Sequence, residues 1–131
     1  MGTQGRVLIF NDQREFARLI GMVAERIGLA ARILPHALDF KYVLAHWRPD
    51  FIAVHMGMPD QQDVEVLEYL EEIRFSGSLL LTGDVKRTAL SEAADVARAR
   101  GLTVVSVLTT RAVKTEIETI LKRLMAIEDA A

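Results

Sequence analysis

The chain has 131 residues, room for one domain with a proper core, and 50% of them are hydrophobic. Lys and Arg number 16 against 18 Asp and Glu, a formal charge of −2 that gives no electrostatic footprint for nucleic acid or an anionic membrane surface. The absence of cysteine excludes a disulfide framework and a thiolate metal site.

The first apolar run, VLIF at Val7–Phe10, is too short for a helix and is bounded by Gly5 and Asn11, which predicts a buried strand. From Gln13 to Ile27 the residues Phe16, Leu19, Ile20, Val23 and Ile27 form one stripe of a 3.6-residue period, and Gly28 supplies the stop. Ala30–Leu34 reads as a second strand. Ala37–Trp47 reads as a short helix that ends before Pro49, because the residue preceding proline is pushed out of the α region.

FIAV, Phe51–Val54, is the third predicted strand, and a histidine, His55, stands where its apolar run ends. Asp63–Arg74 should be a helix with Val66, Leu67, Leu70 and Ile73 on one side, and its charge run EYLEEIR should be a solvated face. SLLLT, Ser78–Thr82, is uniformly apolar up to its threonine, as expected of a strand covered on both faces. The helix predicted over Arg87–Arg100 has only Leu90, Ala93, Ala94 and Ala97 as its inner face, which implies loose packing. Thr103–Leu108 is the fifth strand, and Val113, Ile117, Ile120, Leu121 and Leu124 mark a final helix.

Five strands alternating with five helices predict an α/β fold, a parallel sheet with helices on both faces, since parallel strands need right-handed crossovers. One domain is expected over 1–131, with its core at 6–124. Open sheets of this type carry their functional groups outside the carboxyl ends of the strands. Those ends hold Asn11 and Asp12, His55, Thr82, and Leu108–Thr110.

This set resembles the receiver domain of bacterial two-component response regulators, a five-stranded, doubly wound, flavodoxin-like fold of strand order 2-1-3-4-5. In that family the first strand ends in two acidic residues, matched here by Asn11-Asp12. The third ends in the phosphate-accepting aspartate, and RPDFIAVHMGMPD fits that pattern everywhere except at His55, which takes the acceptor position. Thr82 matches the hydroxyl of the fourth strand. The segment RARGLTVVSVL is similar to receivers attached to EAL-type cyclic-di-GMP phosphodiesterases; on that alignment the family's lysine falls at Thr110 and its proline at Arg111, or, two residues earlier, the lysine falls at Leu108. The position of the aromatic switch residue is then Val107.

Phosphoryl transfer to a receiver requires a carboxylate nucleophile, a magnesium ion on oxygen ligands, and a cation plus a hydroxyl for the phosphoryl oxygens. The resemblance therefore implies a degenerate receiver, with Asn11, Asp12, His55, Thr82 and Thr110 as a vestigial phosphoacceptor pocket. It implies weak or absent magnesium binding, no other cofactor and no enzymatic activity. Within this pocket His55 is expected to donate a hydrogen bond to Asp12 or a nearby carbonyl, and partial protonation of His55 would compensate the carboxylate.

Two other readings stay open. His55 or a displaced carboxylate such as Asp60 could accept phosphate, or the crevice could sense a metal or small ligand, with Asp12 and Asp60 as the carboxylates within reach of His55. His36 and His46 read as solvated, Trp47 as a helix-end plug, Met56 and Met58 as packing residues, and Gly83-Asp84 as a turn. The expected partners are proteins, an output domain or a second copy, met through the fourth helix, fifth strand and fifth helix as in the family; neither nucleic acid nor membrane is expected. No apolar run approaches the roughly 18 residues of a transmembrane helix. MGTQGR lacks the apolar centre of a secretory signal, which points to a cytoplasmic location.

Overall fold

The computed structural model describes residues 5–130, with side chains described as far as residue 127. The stretch MGTQGR thus lies outside the described residues as far as Gln4, as does the last residue of the expected 1–131 domain. Five strands, β1 (Arg6–Phe10), β2 (Ala30–Leu34), β3 (Phe51–Met56), β4 (Ser78–Gly83) and β5 (Thr103–Thr109), form one parallel sheet in the order β2-β1-β3-β4-β5. The crossovers are α1 (Arg14–Arg26), α2 (Phe40–Trp47), α3 (Gln62–Glu72) and α4 (Arg87–Ala99), and α5 (Lys114–Ala130) follows β5. The strand order and the doubly wound, flavodoxin-like architecture are those expected.

Side-chain alternation along each strand builds two cores from one sheet. Leu8, Phe10, Ile52, Val54, Leu79 and Leu81 face α2, α3 and α4, whereas Val7, Ile9, Phe51, Ala53 and Leu80 face α1 and α5. Both sets are buried, which explains why these strands read as unbroken apolar runs. Each leucine of β4 sits at 0% exposure, a burial that contributes about 1.5–3 kcal/mol apiece.

The helices depart from expectation at identifiable places. The second begins at Phe40 rather than Ala37; the Ala37 N–H donates to Gln62 Oε1 at 2.7 Å across the fold, and the Ala37 carbonyl accepts the Phe40 N–H at 3.0 Å in a turn that leads into the helix. It ends as expected before Pro49, with Arg48 left-handed at φ 54. A 3-10 turn, Pro59–Gln61, precedes α3, and there Asp60 and Gln61 are both left-handed. The side of α3 predicted to be apolar is buried at Val66 and Leu70, but Ile73 lies beyond the helix end and is 42% exposed. Likewise Val113 precedes α5 and is exposed, its carbonyl accepting the first helical N–H, that of Ile117.

Loose packing of the fourth helix is overturned. Leu90, Ala94 and Ala97 are all buried, because small side chains let α4 lie close on β4 and β5. A methyl group at Gly83 would come within 3.0 Å of the Leu90 Cδ2, so the glycine is part of that close approach. Among the described residues no helix is long and apolar enough to cross a membrane.

Candidate functional site

The third strand runs two residues further than its apolar run, so His55 is inside β3, paired in register with Thr82 of β4. Phe10 pairs with Val54, which sets the next residue, Asn11, beside His55. By alternation Asn11, His55 and Thr82 share the face of Ile9, Ala53 and Leu80, the side covered by α1. The ring of Phe16 from α1 accordingly lies over His55, with centroids 6.4 Å apart. Asn11, His55 and Thr82 are buried at 2%, 3% and 0% exposure.

His55 does not bond to Asp12. Its Nδ1 is 2.9 Å from the Thr82 Oγ1. In the Nε2–H tautomer the hydroxyl donates to Nδ1, and in the other tautomer the ring donates. Asp12 is exposed to solvent, so the cost foreseen for an unpaired carboxylate is met by water rather than by the imidazole. The Asn11 Oδ1 accepts the Gln13 N–H at 2.7 Å, at the entry to α1, while its Nδ2 is buried with no hydrogen-bond partner among the described residues.

Burial pushes the His55 pKa below its ordinary 6.5, against the opposing pull of the carboxylates of Asp12, Asp63 and Asp84. The imidazole is therefore held neutral at pH 7, contrary to the expected partial protonation. Between its folded pKa and 6.5 the unfolded chain binds a proton that the folded chain refuses. This contribution to stability is complete above pH 6.5 and is lost as the pH falls toward the folded value. His55→Gln is expected to flatten the fall in stability below that pH, a change of at most about 1.4 kcal/mol per pH unit. Urea unfolding of parent and variant at a series of pH values checks it; parallel curves would show that His55 takes no part.

Two carboxylates that the sequence did not single out belong to this surrounding. Asp63, at 6% exposure, accepts the Gly57 N–H on Oδ2 at 2.9 Å and so ties the β3–α3 loop to α3. Asp84 accepts the Thr110 hydroxyl at 3.1 Å. Asp60, the displaced carboxylate considered from the sequence, is exposed in a different hollow beside Lys41 and Tyr69 and is not among the charges that act on His55. Asp63, three residues on, takes that place, because the left-handed pair Asp60 and Gln61 turns the chain ahead of α3.

Of the two alternatives on the fifth strand, Leu108 is fully buried among apolar residues, whereas Thr110 stands at the crevice. The Thr110 N–H donates to the Gly83 carbonyl at 3.2 Å. Val107 is buried against α4. Thr110 and Asp84 share with Gln13, Phe16 and Leu19 an open hollow of about 540 Å³ between α1 and the strand ends.

Magnesium favours oxygen donors in a charged set. Here the strand ends offer one carboxylate, Asp12, beside a neutral amide whose oxygen is already hydrogen-bonded and an imidazole bonded to a hydroxyl. Asp63 and Asp84 each spend an oxygen on another donor. Among the described residues no three His, Cys, Asp or Glu side chains are grouped to hold an ion. The donor set does not fit magnesium.

His36 and His46 are exposed, and His46 stacks on Tyr42 with ring centroids 4.0 Å apart. Trp47 and Met56 are partly buried against the core, and Met58 is within it.

No family model matches the chain, and no curated protein matches it. Solved structures do. A response regulator from Colwellia psychrerythraea is 24% identical with a TM-score of 0.79, over 95% of this chain and 99% of that one. The receiver domain of the Francisella response regulator 1452 is 16% identical with a TM-score of 0.76, over 95% and 98%. A CheY-like receiver domain protein from Methanospirillum hungatei is 16% identical with a TM-score of 0.76, over 97% and 98%. The structural neighbours are thus response-regulator receiver domains, and the chain has their fold.

Proposed function

We propose that this chain, built on the receiver fold, is a signalling module of two-component type that works through protein contacts without phosphorylation of an aspartate. It has no catalytic role of its own. The observation that carries the reading is the 2.9 Å hydrogen bond between His55 Nδ1 and the Thr82 hydroxyl. In the resembled family that hydroxyl meets the phosphoryl group, and here an imidazole already engages it from the acceptor position. A neutral ring under Phe16 is a fixed local contact in place of a magnesium-bound carboxylate, and it holds the strand ends in one state.

Signal output is then a matter of surface. The α4–β5–α5 face presents Val96 at 56% exposure, together with Val85 and Val113 at the ends of its loops, to an output domain or a second copy. The corners of this face are joined by the Arg87–Glu116 pair at 3.8 Å. A cytoplasmic location belongs to this same proposal.

Incubation with acetyl phosphate and magnesium followed by intact-protein mass spectrometry tests it. The expected result is an unmodified chain. A phosphoryl adduct labile to acid but stable to base, and mapped to the His55 peptide, would identify phosphohistidine there, and one labile to base would identify an acyl phosphate; either would replace this reading with a phosphorylatable one.

A further inference from the structure

The chain carries a net charge of −2, yet one hollow on its surface is positive. Between the loop that follows β4 and the loop that follows β5 lies a cavity of about 470 Å³, lined by Lys86, Arg87, Arg111, Thr109, Thr110 and Asp84. Three cations face one carboxylate there, and that carboxylate is engaged by the Thr110 hydroxyl at 3.1 Å. Arg87 has a partner at its far edge, Glu116, at 3.8 Å. Lys86 and Arg111 make no salt bridge among the described residues. The Thr110 N–H to Gly83 carbonyl bond, 3.2 Å, ties the two loops that carry these cations to each other.

We infer that this cavity is a binding site for a phosphorylated small molecule. Its volume is that of a small-ligand site. Guanidinium groups match phosphate oxygens with paired hydrogen bonds, lysine adds a point charge, and the Thr109 hydroxyl adds a further donor. Charge concentrated in a chain that is otherwise acidic discriminates phosphate-bearing ligands from neutral ones. Asp84 on one wall disfavours a ligand that is anionic all round and favours one whose phosphate end meets Lys86 and Arg111 while its uncharged end lies toward Val85. The site adjoins the His55 surroundings through Asp84 and Thr110, but its cations lie outside them and it needs no magnesium, so it goes beyond the function proposed above.

The test is an amide NMR titration of the intact chain, without magnesium, using adenosine monophosphate, pyrophosphate and inorganic phosphate, against sodium chloride of equal ionic strength. Saturable shifts confined to residues 84–87 and 109–111 are expected with the adenosine ester, and smaller ones with phosphate alone. Arg111→Gln and Lys86→Gln should each weaken binding about tenfold. Both side chains are exposed, so the variants are expected to unfold with the parent's midpoint. Shifts no greater than in chloride, shifts centred on Asp12 and His55, or variants that bind as tightly as the parent would overturn the assignment. Shifts centred on Asp12 and His55 would count against the function proposed above as well; the other outcomes leave it untouched.

Discussion

His55→Asp, the substitution that writes the family's acceptor back into β3, is expected to destabilise the chain by roughly 3 kcal/mol at pH 7 without magnesium. The position is 3% exposed, lies under Phe16, and is already within the field of Asp12, Asp63 and Asp84. A fourth carboxylate there is either a charge in an apolar setting among like charges or a protonated acid, and both forms cost free energy. The Thr82 hydroxyl, now bonded to the imidazole, would face that carboxylate instead. A domain of this size should lose about 10 °C in melting temperature. Magnesium in the millimolar range should restore part of the loss in the variant, because it supplies the counter-charge, and should leave the parent unchanged. Equal melting temperatures for the two chains, or a parent stabilised by magnesium, would contradict the picture of a pocket rebuilt around a neutral ring.

Phe10→Ala should cost about 3–5 kcal/mol. Phe10 is at 0% exposure near the end of β1, and its ring meets Phe40 edge-on at a centroid distance of 5.8 Å. Phe40 in turn meets Tyr69 edge-on at 6.3 Å, so three aromatic rings link β1, α2 and α3. Removing the first leaves a void that this edge-to-face row cannot close without moving α2, which is short and starts late. Denaturant unfolding is the check. A loss below about 1 kcal/mol would mean that α2 collapses into the space and that the aromatic row does not fix its place.

The three central strands were legible because burial on both faces leaves no other composition open: VLIF, FIAV and the LLL of Leu79–Leu81 are apolar throughout, and the helices between them keep a period. What escaped the sequence depends on contacts distant in the chain. Nothing local says that β3 continues through His55, since a polar residue normally ends an apolar run; the register with Thr82, 27 residues on, decides it. Nothing local says that Ala37 gives its N–H to Gln62. Asp63 rather than Asp60 acts on His55 because Asp60 and Gln61, two left-handed residues and neither of them glycine, turn the chain ahead of α3. The small-residue face of α4 was misread for a different reason: alanines lower the apolar signal, yet they shorten the distance at which a helix packs on a sheet.

The strand ends were readable from the alternation of strands and helices, the pocket of five residues from the resemblance, and the geometry brings three of them, Asn11, His55 and Thr82, together on one face of the sheet. The error lay in the chemistry assigned to them. A histidine beside an aspartate suggested a charged pair, but desolvation exceeds the pull of the carboxylates, and the ring turns to a hydroxyl instead.

The most direct measurement follows the His55 ring and the amides of Asn11, Asp12 and Thr82 by NMR while magnesium and beryllofluoride are added together, with beryllofluoride alone as the reference. No magnesium-dependent shift is expected at any of the four, because the imidazole already occupies the hydroxyl. A saturable, magnesium-dependent shift of the His55 ring and the Thr82 amide would mean that the pocket still takes a metal and a phosphoryl mimic, and the chain would then be a phosphate-responsive receiver.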